Sequence, residues 1–147
     1  MSYLLDTNVI SETVRQRPSS AVLEWLSSVP SEALYISVLV IGEVRRGVEL
    51  LADGKRRERL RAWLEHELPG WFGERVLPVD TAVADRWGRV LAEAQRPIPA
   101  VDSLLIATAL HHDLRMVTRN EKDFAYPGLE VVNPWVNTRP AGRSRPE

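Results

Sequence analysis

The chain has 147 residues, is 44% hydrophobic and 27% charged, and carries a formal net charge of -1. That length suits one domain, with a core large enough to need no covalent or metal staple. The absence of cysteine excludes disulfides and thiolate metal sites. The near-neutral charge excludes a global pull toward polyanions, so any nucleic-acid binding must come from a local patch.

The opening Met1-Ser2-Tyr3-Leu4-Leu5-Asp6 has no basic leader, and its apolar run stops at Asp6, so no targeting segment is expected. No stretch approaches the roughly 20 apolar residues of a membrane span, and a cytoplasmic protein is the expectation. Tyr3-Leu4-Leu5 reads as a buried strand, followed by a helical pattern through Val9, Ile10 and Val14. Pro18-Ser19-Ser20 opens a second helix with Val22, Leu23 and Leu26 on one face. Leu34 to Ile36 is the next strand, and Ser37 is a candidate cap for a long helix reaching about Leu51, stopped by Gly54. Lys55 to about Leu68 reads as a helix that Pro69-Gly70 breaks. Val76-Leu77 with Val79 makes a third strand, and Thr81 to Glu93 is helical. Pro97-Ile98-Pro99 leads stiffly into a helix from about Val101 to His111. Met116-Val117 is a fourth strand ending at Thr118, and Leu129 to Val132 a fifth.

Short strands alternating with helices predict an α/β fold with a central parallel sheet of about four to five strands and helices on both faces. Functional groups then gather beyond the carboxyl ends of the strands, where Asp6 and Thr118-Arg119-Asn120 lie. One domain is expected over residues 1–137, with a tail over 138–147, rich in proline and arginine and without periodicity, read as disordered.

Three acids sit where a core is expected. Glu43 shares a helix face with Leu39, Val40, Gly47 and Leu50, Asp102 heads a stripe of Leu105, Ile106 and Ala109, and Asp6 directly follows a buried strand. Burying a lone carboxylate costs several kcal/mol unless it is compensated. Asp6 and Asp102 are also candidate helix caps, a role worth about 1 kcal/mol. Glu43, in mid-helix, would instead need a buried salt bridge. A single divalent cation held by all three explains them together, since Mg²⁺ takes a few carboxylates plus waters and substrate phosphates.

The segments around these acids form a recognisable series. Leu4-Leu5-Asp6-Thr7-Asn8-Val9-Ile10-Ser11-Glu12, Ser37-Val38-Leu39-Val40-Ile41-Gly42-Glu43-Val44-Arg45-Arg46-Gly47, Ala100-Val101-Asp102-Ser103-Leu104-Leu105-Ile106-Ala107-Thr108-Ala109 and Val117-Thr118-Arg119-Asn120-Glu121-Lys122-Asp123-Phe124 resemble the four acidic motifs of the PIN-domain family. Asn133-Pro134-Trp135 resembles an ending common in one branch. The similarity runs from about Tyr3 to Trp135, and its nearest branch is the VapC-type toxins, including the FitB-like proteins. Each motif alone is weak; four in order are specific.

The resemblance implies a magnesium-dependent endoribonuclease, with Mn²⁺ as a substitute, acting as the toxin of a toxin–antitoxin pair and leaving 5′-phosphate and 3′-hydroxyl ends. Asp6, Glu43 and Asp102 match the family's most characteristic acids and would bind the metal. The fourth position is occupied by Asn120, where some branches have aspartate, and Asp123 stands as its replacement. Thr7, Asn8, Ser37 and Thr118 are candidates to orient the carboxylates, with turn and cap roles as their alternative. The expected partners are an RNA substrate, a cognate VapB- or FitA-like antitoxin that covers the acids with an arginine and carries the DNA contacts, and a second copy of the chain in a homodimer. An RNA-processing nuclease without an antitoxin, or a silent scaffold domain, are the alternatives, the second resting on Asn120.

A histidine mechanism is disfavoured, because His66 lies on a charged helix and His111 and His112 cannot share a helix face. A haloacid-dehalogenase-like phosphotransferase would require an aspartate where Asn8 stands. For RNA, residues 45–61 hold seven basic side chains against three acidic, about four net positive charges. Within and beyond them, Arg45, Arg46 and Arg119 are the candidate phosphate contacts.

Overall fold

Tyr3, Leu4 and Leu5, all buried, form the central strand β1 (Tyr3–Leu5). Its uninterrupted apolar run is what a strand covered on both faces requires. In the computed structural model, which describes residues 1–136, α1 (Thr7–Glu12) and α2 (Ser20–Ser28) lead to β2 (Leu34–Ser37). The chain continues through α3 (Val38–Glu49), α4 (Lys55–Ala62) and α5 (Leu68–Phe72) to β3 (Val76–Leu77). Then come α6 (Thr81–Glu93), α7 (Ala100–His111), β4 (Arg115–Val117) and β5 (Val131–Val132). The tail expected at 138–147 lies outside the described residues.

All five strands are parallel, in the order β3-β2-β1-β4-β5. The chain steps outward from β1 to β3, then returns through α6 and α7 to β4 on the far side of β1. Right-handed crossovers in opposite directions put the two sets of helices on opposite faces. They also open a crevice at the carboxyl ends of β1 and β4, where the winding reverses.

The predicted elements occur, with differences in detail, among them a fifth strand confined to Val131–Val132. The face of α2 that is buried carries Val22 and Trp25, while Leu23 stays exposed. The third strand stops at Leu77, and Val79 is partly exposed. Most notably, Pro69-Gly70 does not break the chain's helical course. A π-helical turn at Trp63–Glu67 joins α4 to α5, and Pro69 falls in the first turn of α5. The widened turn relieves the clash that a proline ring makes with the carbonyl four residues earlier. The helical course ends instead at Gly73, whose φ of 51° suits glycine.

Candidate metal centre

Asp6 leaves the end of β1 into the crevice and is buried. Its Oδ1 accepts from the Thr7 backbone N–H at 2.8 Å, so it does cap α1. Its Oδ2 accepts from the Thr118 hydroxyl at 2.7 Å, a bond from the end of β4 that no helix cap needs. Burial raises the Asp6 pKa above its ordinary value. The Thr118 hydroxyl and the Thr7 N–H oppose that rise, and the charges of Glu43 and Asp123 add to it.

Asp102 lies in the first turn of α7, half-buried. It is not the cap, a position that Pro99 occupies. Burial, then the charges of Asp6, Asp123 and Glu43, push its pKa up to about 6, with Arg96 pulling the other way. The charges of Glu43 and Asp123 thus act on both Asp6 and Asp102, and that of Asp6 acts on Asp102, so carboxylates from four separate elements bear on one place.

Glu43 corrects the sequence reading. The stripe of α3 that packs inward is Val40, Val44 and Val48, so Glu43 is exposed and Leu50 is 70% exposed. Two stripes competed, and the one with three valines and no charge is buried. Glu43 therefore stands at the rim, facing α1, where its Oε1 accepts from the Thr7 hydroxyl at 2.6 Å. Thr7 thus touches both Asp6 and Glu43.

Asp123 lies on a short 3₁₀ turn, Glu121–Phe124, that follows β4. Its charge reaches both Asp6 and Asp102. Asn120 contributes its backbone N–H to the Thr118 hydroxyl at 3.0 Å. Asn8 spans the same gap, its Nδ2 donating to Thr118 Oγ1 at 3.4 Å and its Oδ1 accepting from the Arg119 N–H at 3.5 Å. Ser37 does not join the group: its hydroxyl accepts from Leu39 N–H at 3.1 Å and caps α3.

The basic candidates divide. Arg45 is held by Glu49 at 3.2 Å and Glu65 at 2.9 Å, which leaves its charge compensated and makes it a poor phosphate ligand. Arg46 is exposed one turn from the end of α3. Arg119 is exposed beside the crevice, with its guanidinium 5.2 Å from the centre of the Trp135 ring.

One contributor was absent from the sequence reading. Arg96 donates to the carbonyls of Asp123 at 2.9 Å and Ala125 at 3.2 Å, pinning the turn that carries Asp123, and its charge acts on Asp102. The Pro97-Pro99 segment that follows gave a signal of rigidity, but nothing in it pointed to its arginine.

Among the described residues, no group of three or more acidic or histidine side chains is placed so that it could by itself hold a metal ion. Mg²⁺ does not require one, because it keeps several waters and takes one or two carboxylates. The donor set fits it: hard oxygens only, with the raised pKa values of Asp6 and Asp102 being ones that a cation would lower.

The PIN domain model matches residues 3–128. The chain is similar to the toxin FitB of Neisseria gonorrhoeae, at 38% identity over 135 residues, spanning 90% of this chain and 97% of that protein. It is similar to the VapC ribonuclease Y4jK of Sinorhizobium fredii, at 36% identity over 135 residues, 90% of this chain and 96% of that one. Its fold matches the crystal structure of FitAcB from Neisseria gonorrhoeae with a TM-score of 0.86 and 38% identity, covering 92% of this chain and 99% of the other.

Proposed function

The chain belongs to the PIN-domain family, and on that footing we propose that it is a magnesium-dependent endoribonuclease serving as the toxin of a toxin–antitoxin pair. What supports this reading is that Asp6, at the end of β1, and Asp102 both feel the charges of Glu43 and Asp123, and that Thr7 and Thr118 tie Asp6 to Glu43 and to the end of β4. Similarity to a protein named a VapC ribonuclease and to one named the toxin FitB points the same way.

Asp6, Asp102 and Asp123 would hold the cation, in part through its waters, with Glu43 at the rim. When bound, the ion supplies an activated water and neutralises charge on the phosphoryl oxygens. The protein's own part is positional. Thr118 and the Thr7 N–H fix the rotamer of Asp6, the Thr7 hydroxyl aims Glu43, and Arg96 holds the Asp123 turn. Arg119 takes a phosphate oxygen of the RNA. Asp123 fills the place that Asn120 leaves neutral, so the asparagine gives no reason to read the scaffold as silent.

The chain acts in the cytoplasm as a homodimer, its nuclease domain ending near residue 137. A FitA- or VapB-like antitoxin places an arginine among the acids, drawn by the field that attracts the metal, and carries any DNA contact. Among the described residues no helix is long and apolar enough to cross a membrane.

The test is RNA cleavage by the purified chain with Mg²⁺, with chelator, and with Asp6→Asn in place of the wild type, mapping 5′-phosphate ends. Cleavage that requires both the metal and Asp6 is the expected result. Equal cleavage by both proteins, or none by the antitoxin-free wild type, overturns the reading.

A further inference from the structure

The basic stretch before and along α4 is partly paired within the protein. Arg45 and Arg61 are paired with Glu49, Arg45 also with Glu65, and Arg57 with Asp53. Two of the arginines without a carboxylate partner stand together. Arg17, in the loop between α1 and α2, and Arg56, in the first turn of α4, have no carboxylate partner among the described residues. Distant in sequence, they are brought together around one cavity of about 290 Å³, whose other lining residues are Arg15 and Gln16. Arg15 is tied to the buried Glu12 at 3.2 Å, yet its side chain is 60% exposed. No acid lines this cavity.

A second cavity, of about 210 Å³, adjoins the first through the shared Arg15 and Arg56. It runs between α1, α3 and α4 along Val14, Leu60 and Trp63, and its lining includes Glu43. The groove thus passes from a cationic end, over an apolar middle, to the rim of the acid cluster.

Resting on the ribonuclease reading, we infer that this groove is the track for the RNA strand, with Arg17, Arg56 and Arg15 binding a backbone phosphate removed from the one being cut. The acid cluster repels a polyanion, so a strand whose scissile phosphate sits there needs compensating charge nearby. Arginine guanidinium suits that task, because it presents paired donors to phosphate oxygens. The apolar stretch between lets an unstacked single strand lie against the protein, the form in which RNA is most often recognised. An acidic protein segment would be drawn by the same arginines, and it is the alternative occupant that the experiment distinguishes.

The experiment measures binding without cleavage, so it reads the track even if the ribonuclease reading fails. In an Asp6→Asn background, the anisotropy of a fluorescent twelve-nucleotide oligouridine is followed against NaCl concentration, with and without Arg17→Ala/Arg56→Ala. Each phosphate contact on a single strand contributes about 0.7 to the slope of log affinity against log salt. The double variant is expected to lower that slope by about 0.7 and to weaken low-salt binding at least tenfold. Arg89→Ala, an exposed arginine on α6, serves as the control and leaves the slope unchanged, and circular dichroism verifies folding. An unchanged slope in the double variant overturns the proposal. So does unchanged RNA binding accompanied by weaker binding of a polyglutamate peptide, which would assign the groove to an acidic protein partner.

Discussion

The Thr118 hydroxyl donates to Asp6 Oδ2 at 2.7 Å while accepting from the Asn120 N–H at 3.0 Å. One side chain therefore ties the ends of β1 and β4 together and fixes the carboxylate on which the site is built. Thr118→Val keeps the shape and removes the bond, leaving a buried carboxylate oxygen short of a donor. The Asp6 pKa then rises further, since the hydroxyl is the strongest influence now holding it down. A loss of about 10- to 100-fold in metal affinity or cleavage is expected, the scale found for groups that orient metal ligands. Thr118→Ser restores most of it. Metal titration by calorimetry, beside single-turnover cleavage, checks both; full activity in the valine variant would remove Thr118 from the positioning scheme.

The assignment of the fourth acid divides two neighbours. Asp123 acts electrostatically on both Asp6 and Asp102, whereas Asn120 supplies only a backbone N–H to Thr118. Asp123→Asn is therefore expected to reduce Mg²⁺-dependent cleavage severely and to bring the Asp102 pKa down. Asn120→Ala keeps the backbone bond and is expected to cost less than tenfold. Cleavage rates at saturating Mg²⁺ for the two variants check the order, and the reverse order would make Asn120 the ligand.

Acidity reads the cluster without any substrate. The Asp102 carboxyl, at about 6 in the folded chain against 3.8 ordinarily, holds its proton more tightly folded than unfolded. Its contribution to stability is complete below pH 3.8 and is lost as pH rises through about 6. Asp6 acts in the same direction. His112 opposes them, because burial lowers its pKa and acidification then favours the unfolded chain. The quantity to measure is thus the difference in Tm between wild type and Asp102→Asn, in chelator, from pH 7.5 to 5. The wild type is expected to gain on the variant as pH falls through 6. With Mg²⁺ present the sign inverts: the ion requires ionised carboxylates, so the stabilisation it confers should shrink over the same window. A Tm difference independent of pH would separate Asp102 from the other acids.

How far these features were legible depended on whether neighbours in sequence or in space decide them. Asp6 and Asp102 could be read because each adjoins an apolar run whose burial is a local property. The parallel order of the strands followed from their alternation with helices. Glu43 was assigned to the site although its supposed burial was wrong, since α3 offers two stripes three and four residues apart and only packing chooses between them. Pro69 looked like a break because the π turn that accommodates it has no sequence mark. Arg45 looked free although Glu49 stands one turn on in the same helix, and its second partner Glu65 lies beyond that helix. Arg96, Arg17 and Arg56 acquire meaning only from where the loops bring them.

The last relationship joins a motif to its neighbour. Trp135 lies under the Arg119 guanidinium, 5.2 Å away, and its backbone N–H donates to Asn133 Oδ1 at 3.0 Å. The buried Asn133 in turn donates to Glu121 Oε2 at 3.1 Å and to the Arg119 carbonyl at 3.5 Å. The Asn133-Pro134-Trp135 segment therefore holds Arg119 from the side and from its backbone. A cation–π contact at an exposed site is worth about 0.5–1 kcal/mol, or roughly a two- to fivefold effect. Trp135→Ala is expected to raise KM for RNA by that factor, and Trp135→Phe to recover part of it through the remaining ring face. Arg119→Ala should cost more than Trp135→Ala, and the double variant no more than Arg119→Ala alone, because Trp135 acts only through the guanidinium. Steady-state cleavage by the three variants decides this; additive losses would give Trp135 a contact of its own with the RNA.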